Sequence, residues 1–417
     1  MRKRLLGNAA SLAVVQVVNY VAPFIILVHL TKTLGLEIYG VLAFSQGIIA
    51  ISAVLLDFGY SLSATNKISQ NRENKRYVGL ILGGVISVKI LLYILCCLFV
   101  LLYALSTEKY GDHREILLLS LFPIAMQGFA PIWFFHGIEK MKYFAMATIS
   151  AKVVFALGAV TLVKSQSDYY LVPLLNGAGQ LAALISSIYF IYKLGYKIQR
   201  PSLRFFSYCF KFTRHFFFSR IAVASYMNGA VVILGLVAQP AVVAIYSMAE
   251  QLYKVMQSAL GPAAAASYPY MAKEKDVPLM LKLILGVVML AFSGAIAGYY
   301  LAPFLVELVF DKSWMASIPV LNVFLVAIVI HAAAIMTGYP LAAVVGKLEV
   351  ANSSVMTGAV VYFILLGLAF YLNMVAPTYL AAIMLISEFS VFMHRSIVLL
   401  PLAVRKQQPI IPQGNHQ

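Results

Sequence analysis

The sequence predicts an all-α integral membrane protein of about twelve transmembrane helices, and three observations predict it. Hydrophobic residues make up 62% of the 417-residue chain and charged ones only 11%, whereas soluble domains hold roughly 45–50% and 25%. The apolar residues recur in runs of about 20, the length that crosses a hydrocarbon core of roughly 30 Å. The basic residues, 31 Lys and Arg against 15 Asp and Glu, are scattered through the short connections between those runs. That distribution points to orientation in a bilayer and not to nucleic acid. Cys96, Cys97 and Cys209 lie in or beside apolar runs, so no disulfide framework is expected.

Taken in order, the basic start Arg2-Lys3-Arg4 precedes an apolar stretch too long for a signal-peptide core. The first element is therefore a helix near 11–30. Spans near 38–58, 78–105, 115–136, 144–163 and 170–192 follow, each bounded by polar or Gly-containing connections. The seventh and eighth, 213–238 and 241–268, are separated only at Gln239-Pro240. Pro240 lacks an N–H and suits the first turn of a new helix, which sets the break there. The last four spans fall near 278–303, 314–337, 352–373 and 376–400.

With the N-terminus placed in the cytoplasm, twenty-two of the 31 Lys and Arg fall in cytoplasmic segments. Five fall outside and four lie within spans. Such an asymmetry is what the positive-inside rule demands, and both termini are expected in the cytoplasm. The basic connection at about 193–212 divides the chain into six helices plus six, lobes of residues 1–200 and 201–417. An even number of spans per half gives both halves one orientation, the geometry of a parallel repeat. Ile38-Tyr39 with Ala43 and Gln46 opens span two, and Ile245-Tyr246 with Ala249 and Gln251 opens span eight.

Seven acidic and basic residues are singled out as sitting well inside spans: Asp57, Lys89, Lys152, Arg220, Glu250, Lys254 and Glu388. Each costs roughly 2.5–3.5 kcal/mol at mid-bilayer, so together they call for partners or a hydrated cleft. On span eight, Tyr246, Ser247, Glu250, Tyr253, Lys254 and Gln257 fall within an arc of about 120°. Glu250 and Lys254 are spaced i, i+4 in the order that favours an ion pair. Two readings stand: a neutralised pair that lets the helix insert, or a cavity wall with an anion-binding Lys and a titratable Glu. Tyr39, Gln46 and Asp57 share one face of span two, where interhelical hydrogen bonding is the alternative to a cavity role. Asp57, near the end of that span, suits a helix cap as well as a coupling role. Arg220 follows the aromatic run Phe216-Phe217-Phe218 and can meet either Glu250 or a phosphate. Lys89 and Lys152 can reach an anion or stretch to the headgroups. Glu388 shares a face of span twelve with Arg395, and His331, alone in span ten, reads as a hydrogen-bonded packing residue.

Nothing in the sequence is built for bond chemistry. Leu341 and Leu348 occupy positions where a Walker A loop around Gly346-Lys347 needs Gly and Ser/Thr. HExxH, GxSxG and Asp-x-Asp patterns are missing, and no outside loop is long enough for a catalytic domain. No catalytic residue, metal or cofactor is expected. The function class is transport.

Several stretches carry a resemblance: Leu34–Gly40, Asp57–Thr65, Phe135–Met141, Phe217–Arg220, Leu234-Gly235, Tyr246–Glu250, Tyr268-Pro269-Tyr270 and the Trp314–Leu321 region. In this order they are similar to the bacterial polysaccharide-biosynthesis flippases (Wzx-type O-antigen flippases) of the multidrug/oligosaccharidyl-lipid/polysaccharide (MOP) exporter superfamily. One departure is His29, where the family pattern has Pro. The resemblance implies two six-helix lobes in a MATE/MOP-like fold within the bacterial inner membrane. It implies an undecaprenyl-pyrophosphate-linked oligosaccharide as the substrate, moved to the periplasmic leaflet by alternating access. A polysaccharide polymerase and a chain-length regulator would be neighbours. Arg220 and Lys254 would then face the pyrophosphate, with Lys89 and Lys152 as further cations. Tyr246, Tyr253, Gln257 and Gln46 would face the sugars, and Glu250, Asp57 or Glu388 would couple to a proton or ion gradient. A cation-coupled multidrug antiporter of the same superfamily is the alternative, disfavoured by four basic against three acidic intramembrane residues. A membrane polysaccharide polymerase would need a larger outside loop.

Overall fold

A computed structural model describes the backbone of residues 2–407 and the side chains of 22–404, apart from 215, 216, 218–220 and 222–224. Helices connected by short turns account for the described chain, with no strand among the described residues. Two compact units divide it, residues 1–247 and 248–417. Nine described stretches are long and apolar enough to cross a membrane, the first of them holding a helix break.

The first unit opens with α1 (Arg2–Asp57), 56 residues long. A straight helix of that length would measure about 84 Å, nearly three bilayer cores. Gly35 breaks it with φ 73° and ψ 177°, a conformation open only to glycine at little cost. The first two expected spans therefore meet at Gly35 with almost no loop. His29 bonds the Val163 carbonyl at 2.8 Å, so the residue that departs from the family pattern ties α1 to the end of a later helix.

Next come α2 (Tyr60–Gln70) and α3 (Lys75–Ser106). The stretch 59–77 between the second and third expected spans is no plain loop: it holds α2, with Tyr60, Ala64 and Ile68 fully buried. The expected fourth span is split into α4 (Arg114–Leu119), α5 (Leu121–Phe129) and α6 (Ile132–Gly137). Pro131 lacks the N–H to continue α5, which separates α5 from α6. Then follow α7 (Met141–Leu162), α8 (Leu171–Lys193) and α9 (Leu203–Val237). The connection before α9 is therefore 194–202, shorter than the expected 193–212, because Ser202 caps α9 by accepting from the Phe205 N–H. An aromatic cluster including Phe58, Phe134, Phe135 and Phe190 gathers α2, α3, α6, α8 and α9 into one core. The connection lies flat on α3: the Gln199 N–H donates to the Gly79 carbonyl at 3.1 Å. A Cβ at Gly83 would stand 1.8 Å from the Gln199 carbonyl oxygen, so glycine is what admits this contact.

α10 (Pro240–Glu274) begins at Pro240 as expected and carries the boundary between the units. The second unit continues with α11 (Val277–Phe310), α12 (Ile318–Thr337), α13 (Tyr339–Val345), α14 (Leu348–Tyr371) and α15 (Pro377–Gln407). α12 packs against both α11 and α15, and α14 against α15. The packing boundary at 247/248 falls within α10, because α9 packs on α1 and α3. It describes compactness; the expected division at 200/201 describes a repeat.

Candidate functional site

The polar face of α10 meets α12 and, through it, α15 within the second unit. Glu250, a buried carboxylate, accepts from the Lys254 ammonium at 2.7 Å. One turn further, the Gln257 amide approaches Nδ1 of His331 on α12 at 3.3 Å. The same Nδ1 lies 3.4 Å from Oε1 of Glu388 on α15. Tyr253 stacks on Phe324 with ring centroids 4.8 Å apart and meets His331 edge-on. On α14, which packs against α15, Tyr362 is fully buried. A polar string thus runs through otherwise apolar packing, where unpaired polar groups would be costly and paired ones fix geometry.

Of the residues singled out from sequence, Glu250, Tyr253, Lys254, Gln257 and Glu388 are gathered here. His331 is hydrogen-bonded, as read, but it is also the bridge between α10 and α15. No single-sequence signal joins residues 257, 331 and 388. Only the packing of three helices does.

The remaining candidates stand elsewhere. Asp57 accepts from the Ser61 N–H at 3.2 Å and the Ser61 hydroxyl at 2.7 Å, which caps α2. Lys89 does not reach the headgroups: its ammonium is buried and donates to the Gly128 carbonyl on α5 at 2.7 Å. Gln46 accepts from the Asn176 amide on α8 at 3.2 Å, an interhelical bond that half-exposes the side chain. Lys152 is half-buried on α7, and Tyr246 is fully buried on α10. Residue 220 lies on α9, and the Arg220 side chain is outside the described residues.

Arg395 carries a role that sequence reading assigned only as a shared face with Glu388. It donates to Ser354 at 2.7 Å, to the Ala351 carbonyl at 3.1 Å and to the Ala334 carbonyl. Three helices, α12, α14 and α15, are joined through one guanidinium fork. Outside the spans, Lys109 and Tyr110 both donate to the Gly235 carbonyl at the end of α9. Burial there holds the Lys109 ammonium below its ordinary value and raises the Tyr110 hydroxyl. Tyr110 also stacks on Phe44 with centroids 4.9 Å apart.

Chemically, the string offers a cation, two carboxylates, an imidazole and an amide, with the Lys254 side chain 34% exposed. It can bind and exchange protons and hold an anion.

Comparison with known proteins places this arrangement in a family. A profile described as polysaccharide biosynthesis protein matches residues 5–275. A protein of Escherichia coli (strain K12) named "Putative O-antigen transporter" is 27% identical over 285 residues, 68% of each chain. One of the same name from Shigella dysenteriae is 27% identical over 366 residues, covering 86% of this chain and 91% of its own. In fold, the chain is similar to the lipid II flippase MurJ in an inward closed conformation, with TM-score 0.74 and 12% identity. That match covers 94% of this chain and 89% of the other. An inward-facing multidrug resistance transporter of the MATE family, in the MOP superfamily, gives TM-score 0.64 at 12% identity, covering 94% and 96%. With its profile matched over more than half the chain, this multi-pass membrane protein belongs to the polysaccharide biosynthesis protein family.

Proposed function

We propose that the protein is a flippase for an undecaprenyl-pyrophosphate-linked oligosaccharide, carried from the cytoplasmic to the periplasmic leaflet of a bacterial inner membrane. The observation that carries this reading is Lys254, an ammonium held inside a membrane helix, anchored to a sealed carboxylate and itself part-open. The names of the family relatives support it.

The physics of the task matches. A pyrophosphate and a set of sugar hydroxyls cannot cross hydrocarbon without substitutes for their water. Lys254 and Arg220 would supply charge to the anion. Gln257 and Gln46, both part-open, would supply hydrogen bonds to sugars, while the polyprenyl tail stays in lipid. Tyr253 and Tyr246, buried in their packing, would shape the walls. Lys89, bound to a carbonyl, would act structurally, and Lys152 would remain a second cation. Moving one negative charge outward gains about 2.3 kcal/mol per 100 mV of membrane potential. The cycle would be alternating access of two six-helix lobes, 1–200 and 201–417, with both termini cytoplasmic and a polymerase and chain-length regulator as neighbours. Coupling to a proton gradient would use Glu388, through its contact with the His331 ring. Asp57 is engaged as a cap and Glu250 by Lys254.

The test is complementation of a flippase-null strain, followed by labelling of whichever lipid-linked repeat unit becomes accessible at the periplasmic face. Restored accessibility is expected, lost on Lys254→Ala and on Arg220→Ala. Normal flipping by both variants would end the anion-site reading, and no accessible repeat unit despite membrane insertion would end the flippase reading.

A further inference from the structure

One ring nitrogen in the second unit faces two partners that it cannot satisfy together. Nδ1 of His331 is 3.3 Å from the Gln257 amide nitrogen on α10 and 3.4 Å from Oε1 of Glu388 on α15. An imidazole nitrogen has a single in-plane position, filled by a lone pair or by a proton. With the lone pair it accepts an N–H from Gln257 and offers nothing to a carboxylate. With the proton it donates to Glu388 and has no acceptor site left for the amide. The two near-equal distances place the ring between the alternatives.

We infer that His331 is a proton-binding switch, whose Nδ1 bonds α10 when bare and α15 when protonated. The step is closed in atoms and charge. Starting from the neutral ring with its proton on Nε2, a proton from hydronium adds to Nδ1, the Gln257 N–H···N bond breaks, and an N–H···O bond to the Glu388 carboxylate forms. The His331–Glu388 pair passes from one negative charge to neutral, and release of the proton reverses each change. Because Gln257 lies one turn from Lys254 on α10, the bond that is made or lost holds the helix carrying the anchored ammonium. The inference rests on the flippase reading only for its use in transport; the exchange of partners itself needs no glycan.

The charged and titratable surroundings leave this nitrogen as the exchange point. On α10, Glu250 and Lys254 hold each other at 2.7 Å, and Tyr253 meets the His331 ring only edge-on. On α15, Arg395 donates to Ser354, Ala351 and Ala334. α14 carries the buried Tyr362, and α11 brings Tyr299 and Tyr300 into a groove beside Val329 and Ile330. His331 is the group in this set with a single ring nitrogen that can either accept or donate a hydrogen bond.

The test uses the full-length protein in lipid vesicles, with ¹⁵N-labelled histidine and glutamine, and buffer protons as the probe. Magnetic resonance contacts of the His331 ring are read from about pH 8 to about pH 5. The expected result is a contact with the Gln257 amide at the alkaline end, replaced by a contact of Nδ1–H with the Glu388 carboxylate at the acid end. Gln257→Leu should remove the first contact alone and Glu388→Leu the second alone, with Gln257→Met and Glu388→Met as substitutes where a variant does not fold. The same partner at both ends, or a ring that does not change protonation, overturns the inference from the unsubstituted protein alone. In the transport arm, a pH gradient should accelerate glycan flipping about fivefold, and His331→Asn should abolish that response. An exchange of partners without any glycan flipping supports the switch and counts against the flippase reading alone.

Discussion

Glu250 is sealed from its surroundings, with 2% of its side chain exposed, while Lys254, its partner at 2.7 Å, is 34% exposed. The pair is therefore asymmetric: the carboxylate is sealed in the packing, and under the flippase proposal the part-open ammonium would meet the substrate. Removing Lys254 alone strands a buried charge, which costs about 3–5 kcal/mol. Lys254→Met should lower the thermal unfolding midpoint in detergent sharply. Adding Glu250→Gln to it should recover most of that loss. Transport should stay absent in both, and a double variant that flips normally would make the pair purely structural.

Arg395 should behave in the opposite way. From α15 its guanidinium donates to α12 and α14, and each such bond to a charged donor is worth about 1.5–3 kcal/mol. Arg395→Met should cost at least about 3 kcal/mol. Arg395→Lys should recover little, because an ammonium cannot reproduce the planar fork. Thermal unfolding of purified protein reads both.

At the end of α1, the turn Asp57-Phe58-Gly59 places Phe58 at φ 49° and Gly59 at φ 88°. Asp57→Ala should lose the α2 cap at about 1 kcal/mol. Gly59→Ala should add strain of about 1–2 kcal/mol for a left-handed residue. Asp57→Asn, which still accepts from Ser61, should stay near the unsubstituted stability and keep transport. Loss of flipping in Asp57→Asn at unchanged stability would instead make this carboxylate a coupling group.

Gly235 and Phe44 form a close crossing of α1 and α9: a Cβ at 235 would stand 1.9 Å from the phenyl ring. Gly235→Ala should overpack the site at about 1–3 kcal/mol. Phe44→Leu in the same chain should relieve part of that cost, although it forfeits the stacking on Tyr110. A double-mutant cycle on unfolding midpoints would measure the coupling between the two positions.

The helices were legible in the sequence because length, apolar runs and Pro240 are local signals. Even Gln239-Pro240, a break of one residue pair, marks the observed start of α10. Polar stripes were legible too, and Glu250 with Lys254 follows from spacing alone. Tertiary pairing was hidden. Lys89 and Lys254 are both lysines within apolar runs, yet one meets a backbone carbonyl and the other a carboxylate. His331 gains its position between Gln257 and Glu388 only when α10, α12 and α15 pack. Likewise α2 is amphipathic over too few turns to stand out beside the long spans, and its burial against α6 decides its structure.

The segment 194–202, fastened to α3 through Gly79 and Gly83, has a practical corollary for anyone who divides the gene. It is upholstery of the first unit and no slack tether. Co-expressed fragments cut at 200/201 would keep Gln199 beside α3 but part both from α9, a helix of the same compact unit.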